Sequence, residues 1–139
     1  YSLLCRLYDT DMAEMAVNED VTLLAFSPLG AGLLTGKYQG DVTPAGSRRD
    51  GGNASLGGRM TPRVLPAVQA YLDVAAKHGL DPVHMAMAWQ RTRPFPVSAI
   101  FGATTRAQLE HMLAGDAMTL SEAVLADIDA AHRAYPMPY

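Results

Sequence analysis

Only two stretches of this chain read as β-strand, and both carry the pattern of a covered parallel sheet. VTLLAF at 21–26 is an apolar, β-branched run bounded by Asp20 and by Ser27-Pro28, and VSAIFGA at 97–103 repeats it and ends in glycine. Runs that stay apolar at successive positions, rather than alternating, predict strands buried on both faces. Two strands cannot make a covered parallel sheet, because such sheets have more members and helices on their faces. The pattern therefore predicts an α/β chain whose remaining strands lie outside these 139 residues.

Helical periodicity surrounds the two strands. Asp9 to Asn18 spaces Met12, Met15 and Ala16 at i, i+3 and i+4, with acids in the first turn. Thr61-Pro62 reads as an N-cap followed by proline at the first helical position, and Leu65, Val68, Leu72 and Ala76 mark one face until Gly79. Pro66 is expected to shorten or kink that start. A further helix opens at Asp81-Pro82 and runs to Arg93-Pro94; TTRAQLEHML at 104–113 predicts another. Ser121 would cap the last, with Leu120 and Leu125 as its hydrophobic staple. The order is α, β, long loop, α, α, β, α, α.

The long loop stands apart in composition. Nine of the 12 glycines lie between Gly30 and Gly58, and residues 37–63 carry five basic side chains against two acids. Residues 1–20 and 107–139 each carry one Arg against five acids. A Gly-rich, basic segment buries little apolar surface, so residues 38–61 are expected to form a flexible loop, and loops of that length inside a domain are usually functional or disordered. The formal net charge of −3 gives no global positive field for nucleic acid. The single cysteine, Cys5, excludes an internal disulfide framework and fits a cytoplasmic location. No apolar run approaches the roughly 20 residues that span a bilayer, so no membrane insertion is expected. A chain opening on Tyr1 within an ordered-looking segment reads as a fragment.

At residues 26–38, FSPLGAGLLTGKY, the chain resembles the segment after the seventh strand of the aldo-keto reductases, NADPH-dependent (β/α)8-barrel oxidoreductases. Tyr1-Ser2 with Leu4 and Arg6 resembles what ends and follows the family's sixth strand, and PAGSRR at 44–49 its loop Ser-Arg. MAMAWQRTRP at 85–94 resembles its Trp-containing helix, IFGATTRAQLEHML at 100–113 its eighth strand and following helix, and LSEAVLADID at 120–129 its C-terminal helix. The matches fall in the family's order across nearly the whole chain. They imply the C-terminal part of a (β/α)8 TIM barrel, residues 1–139, in which 38–61 covers the cofactor.

The resemblance also implies a cofactor, NADPH or NADP, and a small-molecule carbonyl substrate, an aldehyde or ketone reduced to an alcohol. Phe26 would stack on the nicotinamide. Ser27, Pro28, Leu29 and Gly30 would meet the pyrophosphate, with Lys37, Ser47 and Arg48 folded over it like a strap. Gly102, Thr104 and Gln108 would hold the adenosine end. The family's usual Glu and Asn contacts to adenine are replaced here by His111 and Met112, and Met112 lacks the paired donor and acceptor of an Asn.

Other readings of the same residues stand beside these. Ser27-Pro28 terminates a strand without any ligand, Phe26 suits a core position, and the basic loop suits a solvated surface. Thr105 and Gln108 have capping-box spacing. The family's proton-transfer set of Tyr, Lys, Asp and His comes from the first half of the barrel, so no catalytic residue is assigned to Tyr1, Tyr8, Tyr38, Tyr71, Tyr135 or Tyr139, and Lys37 is a cofactor contact. A non-catalytic, cofactor-binding regulatory subunit of the same fold, or an inactive truncated product, is the alternative. His78, His84, His111 and His132 show no i, i+4 pair and no carboxylate partner at metal spacing, so no metal site is expected, and His84 and His111 read as helix-surface groups.

Overall fold

The computed structural model describes all 139 residues. In chain order it contains α1 (Leu7–Asp11), α2 (Ala13–Asn18), β1 (Leu23–Phe26), α3 (Val64–Lys77), α4 (Pro82–Gln90), β2 (Val97–Ile100), α5 (Arg106–Ala114) and α6 (Glu122–Ala134), with short 3-10 turns at Gly30–Thr35, Gln39–Asp41 and Gly115–Ala117.

Local hydrogen-bonding chemistry sets most helix starts. Asp81 Oδ1 accepts from the N–H groups of Val83 and His84 at 2.8 and 3.1 Å, while Pro82 takes the first helical position of α4, where no N–H is needed. Thr105 Oγ1 accepts from Gln108 N at the start of α5, and Ser121 Oγ accepts from Val124 N at the start of α6. Thr61 behaves differently. Its hydroxyl donates to the carbonyl of Pro138 at 2.5 Å, and α3 begins at Val64, after an uncapped Arg63. The start is thus two residues shorter than Thr61-Pro62 implied, and Pro66 falls in the first turn, where its missing N–H breaks no helical bond. The helix expected over Asp9–Asn18 is two short ones, α1 and α2, joined at Met12. The helix expected to run to Arg93 ends at Gln90.

The core lies among α3, α4 and α6 and the segments laid over them. Val64, Tyr71, Trp89 and Ile128 are essentially inaccessible, and Leu3, Leu4, Leu33, Leu34, Tyr38 and Leu56 complete the cluster. The buried Tyr71 hydroxyl donates to Leu3 O at 2.8 Å. The Arg6 and Arg93 guanidinium groups each lie 5.1 Å from the Trp89 ring centre, and both bond Asp9 at 2.9 Å. Tyr1 stacks on the same ring at 5.3 Å.

β1 and β2 pair in parallel, Leu23 opposite Val97 through Phe26 opposite Ile100. Within these 139 residues only one face of the strand pair is covered. Ala25 is buried and Leu23, Val97 and Ala99 are half-buried, but Leu24, Phe26 and Ile100 are 63%, 64% and 49% exposed. The strand period of two sends alternate side chains to opposite faces, and the helical layer covers one of them. Residues 38–61 run as successive turns between two buried anchors, Tyr38 and Leu56. Within them Arg49 pairs with Asp41 at 2.9 Å, and Asp50 accepts from Gly46 N. No helix is long and apolar enough to cross a membrane.

Candidate functional site

A cleft of about 770 Å³ opens where the two strands end. Phe26 and Ile100, opposite each other in the last register position, form its floor with Phe101, and the chain leaves each strand along one wall.

The first wall is a tight turn built around Ser27. Ser27 adopts φ +59°, its carbonyl accepts from Gly30 N at 2.9 Å, and its hydroxyl accepts from Ala31 N at 3.0 Å. Ala31 also sits at φ +59°. Each left-handed non-glycine residue costs about 1 kcal/mol, and these bonds hold the pair in place. Strain of this kind collects at functional loops. The second wall is the start of α5. Gln108 Oε1 accepts from both the N–H and the hydroxyl of Thr104, each at 3.0 Å, so the expected reciprocal cap closes on Thr104 rather than Thr105. Gln108 Nε2 is left without a protein acceptor.

Of the residues singled out in the sequence, Phe26, Ser27, Pro28, Leu29, Lys37, Ser47, Arg48, Gly102, Thr104 and Gln108 all line this one cleft, although they come from four separate segments. Gly30 does not. It is buried beneath the loop with its N–H given to Ser27, and a Cβ there would meet Leu4 Cδ1 at 3.0 Å, so its glycine serves packing and its +56° φ. Phe26 is 64% exposed at the strand end within these residues.

The electrostatics are one-sided. Lys37, Arg48 and Arg59 line the cleft, none of the three has a carboxylate within ion-pair distance, and no Asp or Glu is on the walls. Elsewhere Arg6, Arg49, Arg91, Arg93 and Arg106 are paired, while Arg63 and Arg133 are not. Unpaired cations gathered in a concave surface concentrate positive potential there. Arg59 escaped the sequence reading, since it follows the glycines rather than the Ser-Arg motif. Burial raises the phenols of Tyr1, Tyr71 and Tyr139 above the ordinary range, and no tyrosine lines the cleft.

The expectation that the histidines lack partners at metal spacing is also corrected. The packing of α4 against α5 brings Asp81, His84 and His111 together, one donor atom from each lying within 4.8 Å of the others. The two imidazole centres are 4.7 Å apart. Asp81 and His84 at i, i+3 were the visible half of this group; His111 arrives from 27 residues away.

Three comparisons bear on this arrangement. Residues 1–133 match the model of the aldo/keto reductase family. The chain is 44% identical to protein tas of Escherichia coli over 142 residues, covering 99% of this chain and 40% of that protein. It is 31% identical to the L-glyceraldehyde 3-phosphate reductase of E. coli, covering 93% and 39% respectively, and 32% identical to a probable voltage-gated potassium channel subunit beta of Arabidopsis thaliana, covering 86% and 37%. The chain thus spans about two-fifths of the length of these relatives. A glycerol dehydrogenase from Gluconobacter oxydans superposes with a TM-score of 0.75 at 23% identity, over 99% of this chain and 42% of that one. The two parallel strands with their helices are accordingly the α/β arrangement of the C-terminal part of a TIM barrel, and the chain belongs to the aldo/keto reductase family.

Proposed function

We propose that this chain forms the cofactor-binding side of an NADPH-dependent aldo-keto reductase that reduces an aldehyde or ketone to an alcohol in the cytoplasm. The observation that carries the reading is the cleft itself: three cations without acid partners, no carboxylate on the walls, and an exposed aromatic ring at the strand end. A dinucleotide bearing several phosphates and a flat ring suits that combination, and barrel enzymes commonly bind phosphate in the loops after their last two strands.

When bound, the reduced nicotinamide supplies the hydride. Phe26 offers a flat apolar face that keeps water from one side of such a ring. Lys37, Ser47 and Arg48, with Arg59, hold phosphate oxygens by charge-assisted bonds, and residues 38–61 act as the cover. Ser27, Pro28 and Leu29 fix the turn on which the phosphates rest. Gly102, Thr104 and Gln108 take the adenosine end, where the uncompensated N–H groups opening α5 favour the 2′-phosphate. No residue of 1–139 is given the role of catalytic acid; proton delivery to the carbonyl is assigned to the rest of the barrel. A cofactor-binding regulatory subunit would use the same cleft without turnover, a reading favoured by the likeness to the potassium channel subunit beta.

Fluorescence titration with NADPH and with NADH tests the proposal. Tighter binding of NADPH is expected; equal, weak binding of both overturns the 2′-phosphate assignment. Steady-state reduction of an aldehyde panel by the whole protein separates the reductase from the regulatory subunit.

A further inference from the structure

Beside the cleft, Asp81, His84 and His111 form a group that the nucleotide reading does not use. Asp81 and His84 lie one turn apart at the start of α4, and His111 projects from α5. His111 Nε2 stands 3.3 Å from Asp81 Oδ1, which is about the edge length of a tetrahedron whose metal–ligand bonds are ~2.0–2.1 Å. A divalent ion bound by both atoms would sit to one side of the line that joins them.

His84 is tied to the neighbouring helix through one ring nitrogen. Its Nε2 lies 2.8 Å from the carbonyl oxygen of His111. A carbonyl only accepts, so Nε2 carries the hydrogen and the neutral ring keeps its lone pair on Nδ1. A ring nitrogen donating to a backbone carbonyl while its partner faces a metal is the usual outer-sphere support of metal-bound histidine. Asp81 is held by the two helix N–H groups on Oδ1, the same oxygen that lies 3.3 Å from His111 Nε2, and its Oδ2 accepts none.

The backbone under the group is closely fitted. Gly115 approaches so near that a Cβ there would lie 2.8 Å from His84 Cα. Thr105 caps the helix that carries His111. Two imidazoles and one carboxylate are borderline donors suited to zinc or its neighbours in the first transition row, and three protein ligands leave one position for water.

We propose that Asp81, His84 and His111 form a divalent metal site of the zinc type, with its open position beside the cleft wall to which His111 contributes. Metal-free whole protein, prepared by chelator dialysis and titrated with Zn²⁺ by calorimetry at pH 7.5, tests this. One equivalent should bind, and Co²⁺ should give the visible bands of a tetrahedral site. His111→Ala, His84→Ala and Asp81→Asn should each weaken Zn²⁺ binding at least about tenfold and remove the Co²⁺ bands. Asp81→Asn keeps the helix cap, and His111 is surface-exposed, so these two variants decide the matter even if His84→Ala fails to fold. His78→Gln, which lies outside the group, should bind as the parent does. Absence of stoichiometric binding, unchanged affinity in both deciding variants, or an equal loss in the His78→Gln control overturns the proposal.

Discussion

The helical core and the strand pair are built from similar residues, yet they end in opposite states. Trp89, Tyr71 and Ile128 on α4, α3 and α6 are sealed to within 1% exposure, while Leu24 and Phe26 on β1 remain about two-thirds exposed. A helix buries a stripe and finds its partner in the next helix; a strand presents two faces and needs a layer on each. Here one layer is present. The uncovered face ends at the cleft, where Phe26 is 64% exposed within these residues. The difference teaches that an apolar strand residue in this chain reports on what the strand faces, not on where the core lies.

That contrast can be broken from either side. Trp89→Ala should have the largest effect. The ring is buried between two guanidinium groups that share Asp9, and its loss should cost about 3–5 kcal/mol in urea unfolding. A loss below about 1 kcal/mol would mean that the helical core is not the stabilising half of the molecule. At the other extreme, Leu24→Ser in the 139-residue chain should change stability by no more than about 0.5 kcal/mol, because that side chain is 63% exposed. A larger loss would show the bare face to be covered in solution.

What was legible in the sequence follows the range of the forces involved. The caps at Asp81, Thr105 and Ser121 were readable because each is a side chain bonding to a backbone N–H two or three residues ahead. Thr61 had the same local signature, and its hydroxyl does accept from Arg63 N while donating to a carbonyl 77 residues away, but the helix starts only at Val64. The two parallel strands were readable from their apolar runs. Their half-exposure was not, since burial depends on what lies opposite. In the candidate site, the motif residues were legible as segments, and ten of the eleven line one cleft. Gly30 lies beneath the turn rather than on the cleft surface, where its lack of a Cβ leaves room for Leu4. Arg59 and the His84–His111 approach were missed because their meaning lies in tertiary contact: the absence of an acid near one, and a neighbouring helix beside the other.

The cations of the cleft lack an anionic partner within the chain and are expected to find one in the cofactor. Binding of NADPH to the parent protein and to Lys37→Ala/Arg48→Ala, followed by fluorescence at two salt concentrations, tests this most directly. The double variant should weaken binding about tenfold, and the parent's affinity should fall with added salt more steeply than the variant's. Equal affinity and equal salt dependence in the two proteins would make Lys37 and Arg48 ordinary solvated charges and contradict the cofactor-binding reading of the loop.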